Sequence, residues 1–249
     1  MIKRIIKLSL FLLLISKNIF GQNRVRVNIP TSDVEAEYVW RTIQDIDFFE
    51  EYDYQVNLPE GDFIESLKNK VRETKTSDKD YEYLKVYMRD SVYNKLDYQK
   101  GYEKVSEQLS LINKMINDID AQRLDWDFKK FEVYKVNLTL YGPGGSYNAE
   151  EGSILIFTTP DGKFKQYPNP ANTIIHEIVH IGIEESIVVN YDVPHPLKER
   201  IVDSFVYLNF KEYLPTYRIQ NMGDQSIDRY LKTKSDLIDL HKYVVEILE

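Results

Sequence analysis

The chain has 249 residues, with 32 Lys and Arg against 40 Asp and Glu, four His and no Cys. The absence of Cys excludes a disulfide framework, thiolate zinc or iron–sulfur ligation, a thiol nucleophile and thioether haem attachment. With 43% hydrophobic residues the chain is ordinary globular material, and a formal charge of −8 without a clustered basic run argues against a nucleic-acid-binding face.

Lys3, Arg4 and Lys7 precede the apolar run Leu8 to Ile15, and Gly21 stands just before Gln22. This is the layout of a signal peptide, with cleavage expected after Gly21 and a secreted or periplasmic mature chain. The run is shorter than the roughly 20 residues that span a bilayer, and no later stretch is longer, so no membrane span is expected after cleavage. Cleavage removes Lys3, Arg4, Lys7 and Lys17 and no acid, leaving 28 bases against 40 acids and a charge of −12.

Residues 22–130 read as a mainly helical amino-terminal region. Phe63, Leu67 and Val71 repeat every four residues after Pro59 and Gly61, and Val105, Leu109, Ile112, Ile116 and Ile119 alternate four and three, the pattern of one amphipathic helix. The apolar and aromatic stripes of this half read as packing surface. From Phe131 the texture changes to Val133, Val136, Leu138 and Leu140 interleaved with Tyr and Thr, and Gly142-Pro143-Gly144-Gly145 then forms a turn. Ser153 to Thr159 is a second β-rich run, expected to pair with the first as a hairpin with a long connection. Asn169 caps a helix that has Pro170 in its first turn and is expected to reach about Glu185. Val193-Pro194-His195-Pro196 is a rigid break before another helix marked by Leu197, Ile201, Phe205 and Leu208. A last helix follows Pro215, with His241 on its apolar stripe as a core residue. The expected fold is α+β, residues 131–249 forming a small sheet followed by helices.

The helix after the second strand carries His176-Glu177-Ile178-Val179-His180, an HExxH motif. Residues four apart on a helix are rotated by about 40° and lie one turn apart, so the two imidazoles can grip one metal ion, most commonly zinc. Glu177 then lies beside the ion, placed to take a proton from the activated water and pass it to the leaving group. Apolar Ile174, Ile175, Ile178, Val179 and Ile181 hold this face against the interior.

A catalytic zinc needs a third protein ligand and an open position. Glu184 lies about 12 Å along the helix axis from His176, too far unless Gly182 breaks the helix. His195, between two prolines, could ligate or donate to an oxyanion. Glu199 is best placed, early on the next helix, which can fold back across the first. Asp203 follows one turn later, where it could accept the free ring N–H of a liganding His. Tyr191 and Tyr207 are chemically able oxyanion donors close in sequence to the ligands.

His176-Glu177-x-x-His180 followed nineteen residues later by Glu199-x-x-x-Asp203 resembles the thermolysin-like gluzincin metallopeptidases. The resemblance covers about 50 of the 249 residues and implies a zincin-like core holding one Zn2+ ion through His176, His180 and Glu199. In that group a strand edge ahead of the zinc helix binds the substrate backbone, which makes Ser153, Ile154, Leu155, Ile156 and Phe157 the matching segment. The metzincin pattern is excluded, since Gly182 comes one residue early and Ser stands at 186, and deformylase-like ligation is excluded by the lack of Cys. The expectation is an exported zinc metallopeptidase acting on peptide or protein substrates, with Glu177 as general base and acid. The alternative is a non-catalytic binding or structural module on the same core. Glu177 favours the enzyme, because a structural zinc site has no use for a base beside the metal.

Overall fold

A computed structural model describes residues 23–249 apart from Met222. The signal segment expected at residues 1–21 lies outside the described residues. The fold is mixed α and β, as expected: among the described residues nine α-helices surround one four-stranded mixed sheet.

The sheet begins with β1 (Val25–Asn28), followed much later by β2 (Tyr134–Thr139), β3 (Gly145–Asn148) and β4 (Ser153–Phe157), in the spatial order β1-β2-β4-β3. β1 is parallel to β2 and β2 to β4, while β3 runs antiparallel to β4. Arg24 fixes β1 against β2, since its guanidinium pairs with Asp120 at 2.5 Å and donates to the carbonyls of Phe131 and Glu132 at 2.8 Å. The expected hairpin between the two β-rich runs is therefore corrected. They pair in parallel, and the chain passes between them through the short strand β3, where only a turn was expected.

The helices of the first half are α1 (Ser32–Gln44), α2 (Ile46–Glu51), α3 (Asp62–Arg72), α4 (Asp78–Tyr87), α5 (Gln99–Glu107) and α6 (Leu109–Asp120). The single helix expected from Val105 to Ile119 is two, broken at Gln108, and Ile112, Met115, Ile116 and Ile119 of the second are buried. Residues 22–130 are mainly helical but feed two cores. Ala36, Val39, Ile43, Ile64, Leu67, Leu84 and Met88 form a small one of their own. Val25, Val105, Ile112 and Ile116 instead join Val136, Ile154 and Ile178 in the main core, so packing is continuous across residue 130.

The second half adds α7 (Pro170–Ile183), α8 (His195–Phe210) and α9 (Leu240–Leu248). Asn169 caps α7 as expected, its side chain accepting from the Ala171 amide at 2.9 Å. All residues of α7 are buried, the condition of a helix packed on every side. Gly182 does not break α7. It allows Phe128 to lie against the helix, where any Cβ would overlap the Phe128 ring. The helix then widens into a π-helical turn over Glu184–Val189. The helix expected after Pro215 is replaced by two short 3-10 turns, Gln225–Arg229 and Lys234–Asp239, before α9. Among the described residues no helix is long and apolar enough to cross a membrane.

Candidate metal centre

α7 presents His176 and His180 one turn apart on its buried face, with their Nε2 atoms 3.1 Å apart. α8 enters after Pro194 and carries Glu199 across α7, with Oε2 3.6 Å from His176 Nε2 and Oε1 3.5 Å from His180 Nε2. One ligand atom from each of the three residues lies within 4.8 Å of the others, so the group can hold a metal ion. The spacing suits one: bonds of 2.0–2.1 Å in tetrahedral arrangement separate ligand atoms by about 3.3 Å. Two imine nitrogens at 3.1 Å cannot both point lone pairs at each other, and a shared cation, proton or metal, resolves the contact.

The electrostatics follow from burial and neighbours. Burial opposes charge on His176, but Asp203 and Glu199 together raise it to about 10. Burial carries His180 down to about 4. Burial would raise Glu199, yet the two imidazoles hold its carboxyl far below the usual range.

Glu177 points toward the sheet, where it and Thr173 both lie against Gly145 of β3, and a Cβ at position 145 would overlap its Oε1. Burial pushes its carboxyl up to about 7, opposed by the neighbouring His176. Glu177, His176, His180 and Glu199 line one cleft of about 370 Å³. One wall is β3, whose Tyr147 ring stacks on His180 with centroids 4.7 Å apart and planes at 9°. The first half of the chain also contributes to the lining, through Phe48, Phe49 and Tyr54.

The other sequence-derived candidates fall into place around this group. His195 stands outside it, in the cleft wall, with Nδ1 3.7 Å from Glu199 Oε1 and Nε2 3.4 Å from the Tyr54 hydroxyl, and Phe48 and Tyr52 meet its ring edge-on. Glu184 is spent elsewhere, accepting the Tyr147 hydroxyl at 2.6 Å. Tyr191 lines a separate cavity with Trp126 and His241 and is not brought to the cleft. Tyr207 lies partly buried against the main core, with Lys211 over its ring.

Asp203 is fully buried beneath His176, but Tyr217 mediates the link between them. The Tyr217 hydroxyl lies 2.7 Å from His176 Nδ1 and donates to Asp203 Oδ1 at 2.8 Å, whereas the direct His176–Asp203 distance is 3.4 Å. The Gln220 amide donates to Asp203 Oδ2 at 2.7 Å. Tyr217 lies in an irregular stretch after α8, and nothing local in the sequence marks it.

The expected substrate strand needs correction. Ser153–Phe157 is β4, an interior strand bonded to β2 on one side and β3 on the other, so it has no free edge to offer. Among the described residues the free edge beside the cleft belongs to β3, through Gly145, Ser146 and Tyr147. No family model matches the chain, and no match is found among curated proteins or solved structures.

Proposed function

We propose that the chain is an exported zinc-dependent peptidase. The observation that carries this reading is Glu177, a buried carboxylate placed beside a three-residue group able to hold a metal, in a cleft lined by the edge strand β3. A purely structural site has no use for such a group, and usually fills all four positions with protein. Two imidazoles and one carboxylate, without thiolate, form a donor set suited to zinc. The basic and apolar amino terminus supports export.

In this reading His176, His180 and Glu199 would hold the ion, and Asp203 acting through Tyr217 would fix the orientation of the His176 ring. When bound, the ion supplies a Lewis acid that polarises the scissile carbonyl and acidifies the attacking water. Glu177 accepts the proton of that water on its carboxylate and delivers it to the departing amine. An extended peptide pairs with β3, and the missing side chain at Gly145 lets the main chain approach Glu177 closely.

The test is metal content together with hydrolysis of casein and of a peptide library, by the wild-type chain and by Glu177→Gln. The expected result is one zinc per chain in both and turnover reduced in the variant by about 10²–10⁴-fold, the usual contribution of a general acid–base. Stoichiometric zinc without turnover of any peptide would favour a binding module on the same core. Failure to take up zinc on reconstitution would overturn the metal reading itself.

A further inference from the structure

Two cations in the cleft lie outside the metal-binding group. Lys198, in the first turn of α8, donates to the Tyr147 hydroxyl at 3.2 Å, and its Nζ lies 5.6 Å from the centre of that ring. Arg41, in the last turn of α1, donates through Nη2 to Ser146 Oγ at 3.0 Å. Both line the same cleft as the metal-binding group. Ser146 and Tyr147 are consecutive on the free-edged strand β3, and consecutive strand residues face opposite ways. The two cations therefore flank the strand edge on either side, along the track an extended peptide would follow.

Neither cation is consumed. An ammonium has three N–H donors and a guanidinium five, and the contacts above take one from each. Among the described residues neither makes an ion pair with a carboxylate. Arg200, two residues beyond Lys198, shows the contrast: its guanidinium is spent on both oxygens of Asp228 and on the Gln220 carbonyl. The cleft's own acids form no ion pair with either cation among the described residues: Glu199 belongs to the metal-binding group, Glu177 lies against Gly145 and feels the Lys198 charge without a salt bridge, and Asp45 is exposed.

The position of Lys198 is also unfavourable for its helix. α8 has no acid in its first turn, and a cation at a helix amino terminus meets the positive end of the macrodipole. Its charge therefore serves the cleft, where it adds to the field of that same helix end. Arg41 and Lys198 are the two Lys or Arg side chains among the residues that line this cleft.

We propose that the cleft recognises a carboxylate of its substrate, with Lys198 and Arg41 as the recognising groups. The carboxylate belongs either to an Asp or Glu side chain near the scissile bond or to the free carboxyl terminus of a short peptide. The proposal rests on the peptidase reading for what becomes of the peptide, and on the cleft alone for its binding.

Binding is therefore measured on the zinc-loaded Glu177→Gln chain, by calorimetry, with three acetylated Ala/Phe hexapeptides: a neutral amide, the same amide with one Glu, and the neutral sequence with a free carboxyl terminus. At least tenfold tighter binding of one acidic peptide over the neutral amide is expected, and which one identifies the source of the carboxylate. The preference should fall with added salt and collapse in Lys198→Met and Arg41→Met backgrounds. Lys198→Arg should retain most of it, which separates charge from packing. Equal affinity for all three peptides, binding of none, or a preference that survives both substitutions would overturn the proposal. Selective binding with no cleavage of these or any library peptide by the wild-type chain would leave carboxylate recognition standing and remove the peptidase reading.

Discussion

Tyr217→Phe is the sharpest probe of how the metal centre is held. The substitution keeps the ring and its stacking on Tyr167, whose centroid is 5.4 Å away at 14°, and removes one oxygen. That oxygen makes two contacts, 2.7 Å to His176 Nδ1 and 2.8 Å to Asp203 Oδ1. A metal on Nε2 requires the proton on Nδ1, so in the wild-type chain Nδ1–H donates to Tyr217, which donates onward to the carboxylate. In the variant His176 has only Asp203 Oδ1, at 3.4 Å, a distance at which the bond is weak. Partners of this kind are worth about 10–100-fold in metal affinity, or about 1.4–2.7 kcal/mol. The assay is zinc competition against a chromophoric chelator, and the variant should bind zinc about 10–100-fold more weakly than the wild-type chain. Affinity within twofold of wild type in Tyr217→Phe, alongside a tenfold or greater loss in Asp203→Asn, would show that Asp203 acts on His176 directly and that the tyrosine is a spacer.

Glu199→Ala should lower zinc affinity by at least about 10²-fold, while Glu184→Ala and His195→Ala stay within tenfold, because only Glu199 lies within reach of both histidine Nε2 atoms. Equal losses in the three variants, read by the same competition assay, would refute the ligand assignment. Glu35 supplies a pH test away from the metal. It is buried between α1 and β2, and its Oε1 accepts from Tyr98 at 2.8 Å, Thr139 at 3.0 Å and the Leu140 amide at 2.9 Å, while Oε2 has no partner. Burial pushes its carboxyl from 4.5 to about 7 against those hydrogen bonds. Between these pH values the folded chain keeps the proton that the unfolded chain has released, so stability falls as pH rises, by about 3 kcal/mol across the window. Glu35→Gln should flatten the decline in urea-melt stability between pH 4.5 and 7. An unchanged slope would show that Glu35 titrates normally.

What could be read from the sequence, and what could not, follows from how far apart the cooperating groups lie. His176, Glu177 and His180 are legible because the helix itself sets their geometry, and Asn169 and Pro170 mark where that helix starts. Glu199 is legible one step further out, since the Pro194-His195-Pro196 break leaves the next helix little choice but to fold back. The strands show the limit. Ile154 and Ile156 made β4 visible as a strand, yet the same two buried side chains are the mark of an interior strand. An edge strand beside a cleft needs one unpaired side and little apolar surface, and Gly145-Ser146-Tyr147-Asn148 has that character, so nothing in it announces a strand after the Gly142–Gly145 turn. Tyr217 and the Phe48, Phe49 and Tyr54 wall are illegible for a related reason. They reach the site across 41 residues in one case and 141 in another, through packing that no local periodicity encodes. The candidate metal ligands are therefore specified by short-range pattern, while the residues that surround them and shape the cleft are specified by tertiary packing. It follows that substitutions at His176 or Glu199 should lower metal binding and turnover together, whereas substitutions at Phe48 or Tyr54 should act on substrate selection and leave the metal in place.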